Sequence, residues 1–237
     1  MGNRRIPYGC QWINAEDVAA VVEVLQSEWI TQGQCIDRFE TELATYCGAR
    51  YAVAVSSATA ALHLACTAAE LGSGDPIVTS PITFAASANC GIYCGARPYF
   101  SDIDPQTYNL DPVRLAERLQ SLPASTGSGI VIPVHFAGQC CDMEAITDIC
   151  CQRGFRIIED ASHALGSHWI DVEGVRQQVG NCSHSHMAIF SFHPVKNITT
   201  GEGGAIMTND EELYEKLLRL RNHGIARGAK CRVSCDD

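Results

Sequence analysis

The stretch Ser191-Phe-His-Pro-Val-Lys196-Asn-Ile-Thr-Thr-Gly201-Glu-Gly-Gly204 decides how the rest of the chain is read. The apolar run Met187-Ala-Ile-Phe190 leads into it and Ala205-Ile-Met207 leaves it, each with the length and composition of a buried strand. A lysine at the end of a buried strand is costly unless its charge is paired or its amine is used chemically. Desolvation and cationic neighbours lower an amine's pKa and make it a nucleophile toward carbonyls. Glycines just beyond let another molecule approach the backbone closely. A surface lysine in a turn would look the same in isolation, so the meaning of Lys196 depends on the sequence around it.

Outward from that stretch, short apolar runs alternate with helical patterns. Tyr51-Ala-Val-Ala-Val55 predicts a buried strand running into Ser56-Ser57-Ala58-Thr59 and then the helix-forming Ala60 to Leu71. The first N–H groups of such a helix lack partners and sit at the positive end of its dipole. They make a phosphate site that the Ser57 and Thr59 hydroxyls would complete, although Ser57 could equally be an ordinary helix cap. Pro76 to Thr79 is the next strand, followed by Ser80-Pro-Ile-Thr-Phe84 and a small-residue helix from Ala85. Phe84 falls at that strand-to-helix turn, where its ring would face the ligand edge of a sheet.

Pro98 to Asp102 predicts another strand, Asp111-Pro112 opens a capped helix to about Leu122, and Pro123 to Gly129 is a connector. Ile130 to Val134 is a strand with His135-Phe-Ala-Gly138 at its end, and Asp142 caps the helix after it. Arg156-Ile-Ile-Glu-Asp160 is an apolar strand ending in two carboxylates, followed by Ala161-Ser-His163 and a polar loop from Gly166 to His186. Asn209 is expected to cap a last helix, Asp210 to about Asn222. Before the first strand, Asn14 predicts the start of a helix with Val18, Val21, Val22 and Leu25 on one face. A second helix, about Ile36 to Cys47, points Phe39 and Leu43 inward and stops at Gly48. This alternation predicts an α/β fold with a mostly parallel sheet flanked by helices, in which ligands bind off the carboxyl ends of the strands.

The chain has 237 residues, 46% hydrophobic and 19% charged, as in a globular protein with a sizeable core. A net charge of −10 argues against a nucleic-acid surface, which needs a basic footprint. No apolar run approaches a membrane span, and Met1-Gly-Asn-Arg-Arg5 leads into Ile6-Pro7 without a signal-peptide core, so a cytoplasmic protein with no membrane partner is expected. Thirteen cysteines in irregular spacing make a poor disulfide framework and are expected to be buried or half-buried small side chains. Cys182, His184 and His186 offer the one cluster with metal-ligand chemistry, but no CxxC pair supports it, and no metal is expected.

The candidate groups describe a pocket for a flat, anionic, carbonyl-bearing molecule. Helix N–H groups with Ser57 and Ser191 would hold a phosphate, and the Phe84 ring would stack on a ring. Asp160 would pair with a ring cation, and the Lys196 amine would form a Schiff base. Pyridoxal 5′-phosphate meets these four demands.

Ser56-Ser-Ala-Thr-Ala-Ala-Leu-His-Leu64, Pro81-Ile-Thr-Phe84, Glu159-Asp-Ala-Ser-His163 and Ser191-Phe-His-Pro-Val-Lys196 with Gly201-Glu-Gly-Gly204 resemble the sugar aminotransferases of the DegT/DnrJ/EryC1/StrS family. The resemblance runs in unbroken order from about Ile6 to Ile225 and implies the aspartate aminotransferase type of fold. It implies that Lys196 is the Schiff-base lysine and Asp160 the partner of the pyridinium nitrogen. Phe84 matches the stacking aromatic, and His163 the group beside the phenolic oxygen. Ser191 with Ser57, Ala58 and Thr59 matches the phosphate contacts.

Val134-His-Phe-Ala-Gly-Gln139, Cys141-Asp-Met-Glu-Ala-Ile146 and Ser191 to Lys196 are most similar to the members that act in pseudaminic acid biosynthesis. These aminate C4 of a UDP-linked 2-acetamido-2,6-dideoxy-4-ketohexose with L-glutamate as donor. Asn197-Ile-Thr199 also resembles the 4-amino-arabinose members, and a catalytically inactive cofactor-binding fragment is a further alternative. The resemblance implies an N-terminal helical segment over 1–50, a cofactor-binding large domain over 51–225, and an irregular tail over 226–237. Family members continue into a small C-terminal domain, so this chain is expected to be truncated there, and a homodimer is expected at full length.

Overall fold

The computed structural model describes residues 9–122 and 129–225, so the predicted tail and nearly all of the Pro123 to Gly129 connector lie outside the described residues. In chain order the elements are α1 (Ala15–Gln26), α2 (Gln34–Cys47), β1 (Tyr51–Val55), α3 (Ala58–Ala68), β2 (Pro76–Thr79), α4 (Ala86–Tyr93), β3 (Arg97–Phe100), α5 (Pro112–Ser121), β4 (Ile130–Ile132), α6 (Met143–Arg153), β5 (Arg156–Asp160), β6 (His168–Ile170), β7 (Arg176–Gln178), β8 (Met187–Ser191), β9 (Gly204–Thr208) and α7 (Glu211–Arg221). Seven strands form one sheet in the order β1-β9-β8-β5-β4-β2-β3. Among the described strands of this sheet, only β9 runs against its neighbours: it pairs antiparallel with both β1 and β8, while β8, β5, β4, β2 and β3 are parallel. The carboxyl ends of β1, β2, β4, β5 and β8 therefore share one edge of the sheet, where β9 begins.

Strand alternation sorts the core into two layers of side chains. Val53, Ile77, Ile130, Ile132, Ile158, Met187, Ile189 and Ile206 pack under α3, α4 and α7. On the opposite face, Ala52, Ala188, Phe190, Ala205 and Met207 pack against Leu43, Ala44 and Cys47 of α2. Val78, Val131 and Ile157 lie on α5 and α6. The predicted helix stops also form: Gly48 ends α2 at φ +78°, Asp111 and Pro112 open α5, and the Asp142 carboxylate accepts the Ala145 N–H at the start of α6.

Several local expectations are corrected. The apolar face of α1 does not pack within the described residues: Val18, Val21, Val22 and Leu25 are all exposed. That helix is fixed at its start by a capping box, in which Asn14 Oδ1 accepts from Glu16 and Asp17 N–H and Asp17 accepts the Asn14 N–H. Asp210, not Asn209, caps α7, because Asn209 is occupied with the Arg50 N–H and the Asn181 carbonyl. The polar loop from Gly166 to His186 contains the hairpin β6–β7, turned by Asp171, whose Oδ1 accepts the Glu173 and Val175 N–H groups. Cys10, Cys35 and Cys151 are exposed, against the expectation of uniformly buried or half-buried thiols.

Candidate active site

The shared strand edge opens into a cavity of about 640 Å³. Ser57, Ala58, Thr59, Phe84, Asp160, His163, Ser191 and Lys196 all line it, so the eight residues singled out in the sequence are brought together in one place. A cavity of this size at the carboxyl ends of parallel strands suits a small-molecule ligand.

One end is built by the turn between β1 and α3. Ser57 is the N-cap of α3, and its hydroxyl accepts the Ala60 N–H at 3.1 Å. Both readings of Ser57 therefore hold geometrically, since a capping hydroxyl still has its proton to donate. The N–H groups of Ala58 and Thr59 lie beyond the reach of any carbonyl of their own helix, at the positive end of its dipole. Gly204, paired to Val55 across the sheet, backs directly onto this turn. A Cβ at Gly204 would meet the Ser57 carbonyl carbon at 2.5 Å and the Ala58 nitrogen at 2.6 Å. Only glycine lets β9 start beneath the turn without moving it. Ser191, opposite Gly204 in the β8–β9 register, adds a hydroxyl beside it.

The Lys196 loop is pinned by its own backbone. Phe192 N–H donates to the Gly203 carbonyl at 2.9 Å, and the Phe192 carbonyl accepts the Thr199 hydroxyl at 2.9 Å and the Thr200 N–H at 3.0 Å. Lys196 N–H donates to the His193 carbonyl at 2.9 Å, which closes the turn carrying the lysine. The Lys196 side chain is half-buried and takes part in none of the ion pairs among the described residues. Burial lowers its pKa from the ordinary lysine value, against the smaller upward pull of Asp160. His163, also half-buried, is lowered by burial and by the Lys196 charge, so its imidazole is biased toward the neutral form. The Phe84 ring, 75% exposed, stands free at the rim.

Adjacent carboxylates at the end of β5 part company. Asp160, 4% exposed, points to the side of α4 and the cavity. Ser87 donates its hydroxyl to Oδ2 at 2.6 Å, and Ser162 N–H donates to Oδ1 at 3.2 Å. Glu159 points through the sheet to the other side, where it meets His135 Nε2 at 2.7 Å and the Ser185 hydroxyl. Cys141 N–H donates to His135 Nδ1, which assigns the ring proton to Nε2 and its hydrogen bond to Glu159. Sequence reasoning missed Ser87, Thr83, Ser162 and this buried His135–Glu159 pair. The only signal for Ser87 was a hydroxyl four residues after Thr83 at the start of a helix, which does not say what it faces. His186 Nδ1 accepts the Ile157 N–H, and the His184 ring lies against Trp169.

Helix-end donors at one side, a fixed buried carboxylate at the floor, a free aromatic face and a half-buried amine thus meet in one cavity. They can hold an anion, a ring cation and a carbonyl together.

Residues 11–235 match the DegT/DnrJ/EryC1/StrS aminotransferase family. The chain is 40% identical over 232 residues to the spore coat polysaccharide biosynthesis protein SpsC of Bacillus subtilis, covering 98% of this chain and 57% of SpsC. It is 42% identical over 223 residues to the UDP-4-amino-4,6-dideoxy-N-acetyl-beta-L-altrosamine transaminase of Campylobacter jejuni, covering 94% and 56%. Among solved structures, Helicobacter pylori PseC, described as an aminotransferase involved in the biosynthesis of pseudoaminic acid, superposes with a TM-score of 0.83 at 32% identity, covering 96% of this chain and 58% of PseC. The chain spans little more than half the length of the curated relatives it matches. In sequence and fold, it belongs to the DegT/DnrJ/EryC1/StrS aminotransferase family.

Proposed function

We propose that this chain carries the cofactor-binding part of a pyridoxal-phosphate-dependent nucleotide-sugar aminotransferase. In this reading the enzyme moves an amino group from L-glutamate to C4 of a UDP-linked 2-acetamido-2,6-dideoxy-4-ketohexose. The observation that carries the reaction class is the placement of the Lys196 amine and the doubly hydrogen-bonded Asp160 carboxylate in the same cavity as the α3 N-terminus. The sugar rests on similarity to the Campylobacter transaminase, which SpsC matches in degree without sharing its name.

The donor set fits the cofactor. Ser57, Ala58, Thr59 and Ser191 would hold its phosphate, with Gly204 leaving room for the turn to keep its shape. Phe84 would stack on its ring, and His163 would sit by its phenolic oxygen. When bound, pyridoxal phosphate supplies a carbonyl for amines and a protonated ring that takes up an electron pair. Lys196, whose neutral form is favoured by burial, would offer an amine that can bind that carbonyl and afterwards carry a proton to and from the substrate carbon. Asp160 holds the proton on the ring nitrogen. A homodimer of the complete protein completes the reading.

Adding pyridoxal phosphate, reducing with borohydride and mapping the modified peptide tests the class. Label on Lys196, lost in Lys196→Ala, supports it; label on another lysine refutes it. For the sugar, kcat/KM on the acetamido keto-hexose is compared with that on the keto-pentose of 4-amino-arabinose synthesis, using the complete protein. A site shaped for the acetamido group would leave polar groups unpaired with the pentose, and a preference for the pentose would overturn the hexose assignment.

A further inference from the structure

Two hydroxyls stand in line behind Asp160. Ser87, in the first turn of α4, is fully buried, and its Oγ lies 2.6 Å from Asp160 Oδ2. Thr83 Oγ1 lies 2.7 Å from Ser87 Oγ. A hydroxyl has one proton to donate, and an ionised carboxylate can only accept. Ser87 therefore gives its proton to Oδ2 and accepts that of Thr83, so donation runs from Thr83 to Ser87 to Asp160. Ser162 N–H fixes the other oxygen. The titratable groups that face Asp160 are Lys196, from the loop after β8, and His163, from the turn after β5. Glu159 faces away into its pair with His135.

We infer that Ser87, backed by Thr83, is a positioning residue that holds the Asp160 carboxylate aimed into the cavity, where it would pair with the protonated ring nitrogen of the ligand. The inference rests on the cofactor reading above. A short hydrogen bond donated to one carboxylate oxygen fixes the direction in which that oxygen points. A second hydroxyl donating to the first polarises it and strengthens that effect. Ser162 alone fixes one oxygen and leaves the carboxyl plane free to turn; Ser87 removes that freedom. Were Ser87 only a small residue filling space in α4, alanine would serve as well.

The test uses Ser87→Ala, Ser87→Thr and Thr83→Val, each titrated with pyridoxal phosphate while the visible spectrum is followed across pH. Ser87→Ala is expected to weaken cofactor binding about tenfold to a hundredfold, the range for a lost hydrogen bond to a charged group. It should also shift the balance of absorbance bands toward the form with an unprotonated ring nitrogen. Ser87→Thr, which keeps the hydroxyl, should restore both readouts, and Thr83→Val should give a smaller loss of about threefold to tenfold. Wild-type affinity and spectrum in Ser87→Ala would overturn the inference. So would failure of Ser87→Thr to recover either readout at an unchanged melting temperature. A parent protein that shows no cofactor band at all would instead remove the proposed function, and this inference with it.

Discussion

Substituting Glu159 or Asp160 should have opposite consequences, because the two side chains leave β5 on opposite faces. Glu159→Ala removes the acceptor of the His135 Nε2–H, a ring that is 0% exposed, and also strands the Ser185 hydroxyl, which is half-buried and can turn to water. His135 cannot turn without breaking the bond from Cys141 N–H to Nδ1, so its donor stays buried and unpaired. The penalty for such a group, with the cavity left by the side chain, is about 3 kcal/mol. For a chain of this length that is a fall in melting temperature of roughly 6 to 12 °C.

Asp160→Asn is different. The amide can give a proton to Ser87 Oγ, Ser87 can then donate to Thr83, and the amide oxygen still accepts from Ser162. The hydroxyl chain reverses without losing a bond, so the change in stability should stay within about 1 kcal/mol. Its effect falls on the ring nitrogen, since an amide cannot hold a proton there as a carboxylate does. Cofactor binding should weaken at least as much as in Ser87→Ala, and catalysis should fall far more. Thermal unfolding and cofactor titration on both variants check this. An intact melting temperature in Glu159→Ala with loss of cofactor function, or wild-type turnover in Asp160→Asn, would show that the carboxylates have been assigned the wrong way round.

Cofactor capture by Lys196 should rise with pH about a midpoint below the ordinary lysine value of about 10.4, because burial favours the neutral amine. Asp160→Asn should move that midpoint lower by removing the opposing negative charge; borohydride trapping across pH measures it, and a midpoint at the free-lysine value refutes it. Gly204→Ala should cost about 1–3 kcal/mol and weaken phosphate binding, since the new Cβ cannot fit under the turn at Ser57 and Ala58. Wild-type urea unfolding and cofactor affinity in that variant would count against the close approach. Arg221→Met should destabilise by about 2 kcal/mol, because Arg221 pairs with the buried Glu40 and also donates to the Ala54 carbonyl. An unchanged urea midpoint would show that Glu40 is satisfied by Ala54 N–H alone.

Local sequence was enough for the strands that build the site, because each is a short apolar run closed by turn residues. The runs Met187 to Phe190, Ala205 to Met207 and Tyr51 to Val55 lie in β8, β9 and β1. Period-two alternation also required Glu159 and Asp160 to face opposite ways. What the alternation could not say is which side held the cavity. That depends on the start of α4 reaching the end of β5 to deliver Ser87, and on β9 running antiparallel between β1 and β8 to place Gly204 under the α3 turn.

The α1 face shows the converse. Its spacing of Val18, Val21, Val22 and Leu25 made a helix legible, and Asn14 starts it as read, yet whether the face is covered depends on a surface that no local pattern encodes. The chain's own periodicity fixed the elements and the residue types at their ends, since those rest on backbone sterics and on neighbours a few positions away. The partners of Asp160, His135 and Glu40 were decided only when segments distant in sequence met, since a hydrogen bond needs its donor within about 3 Å.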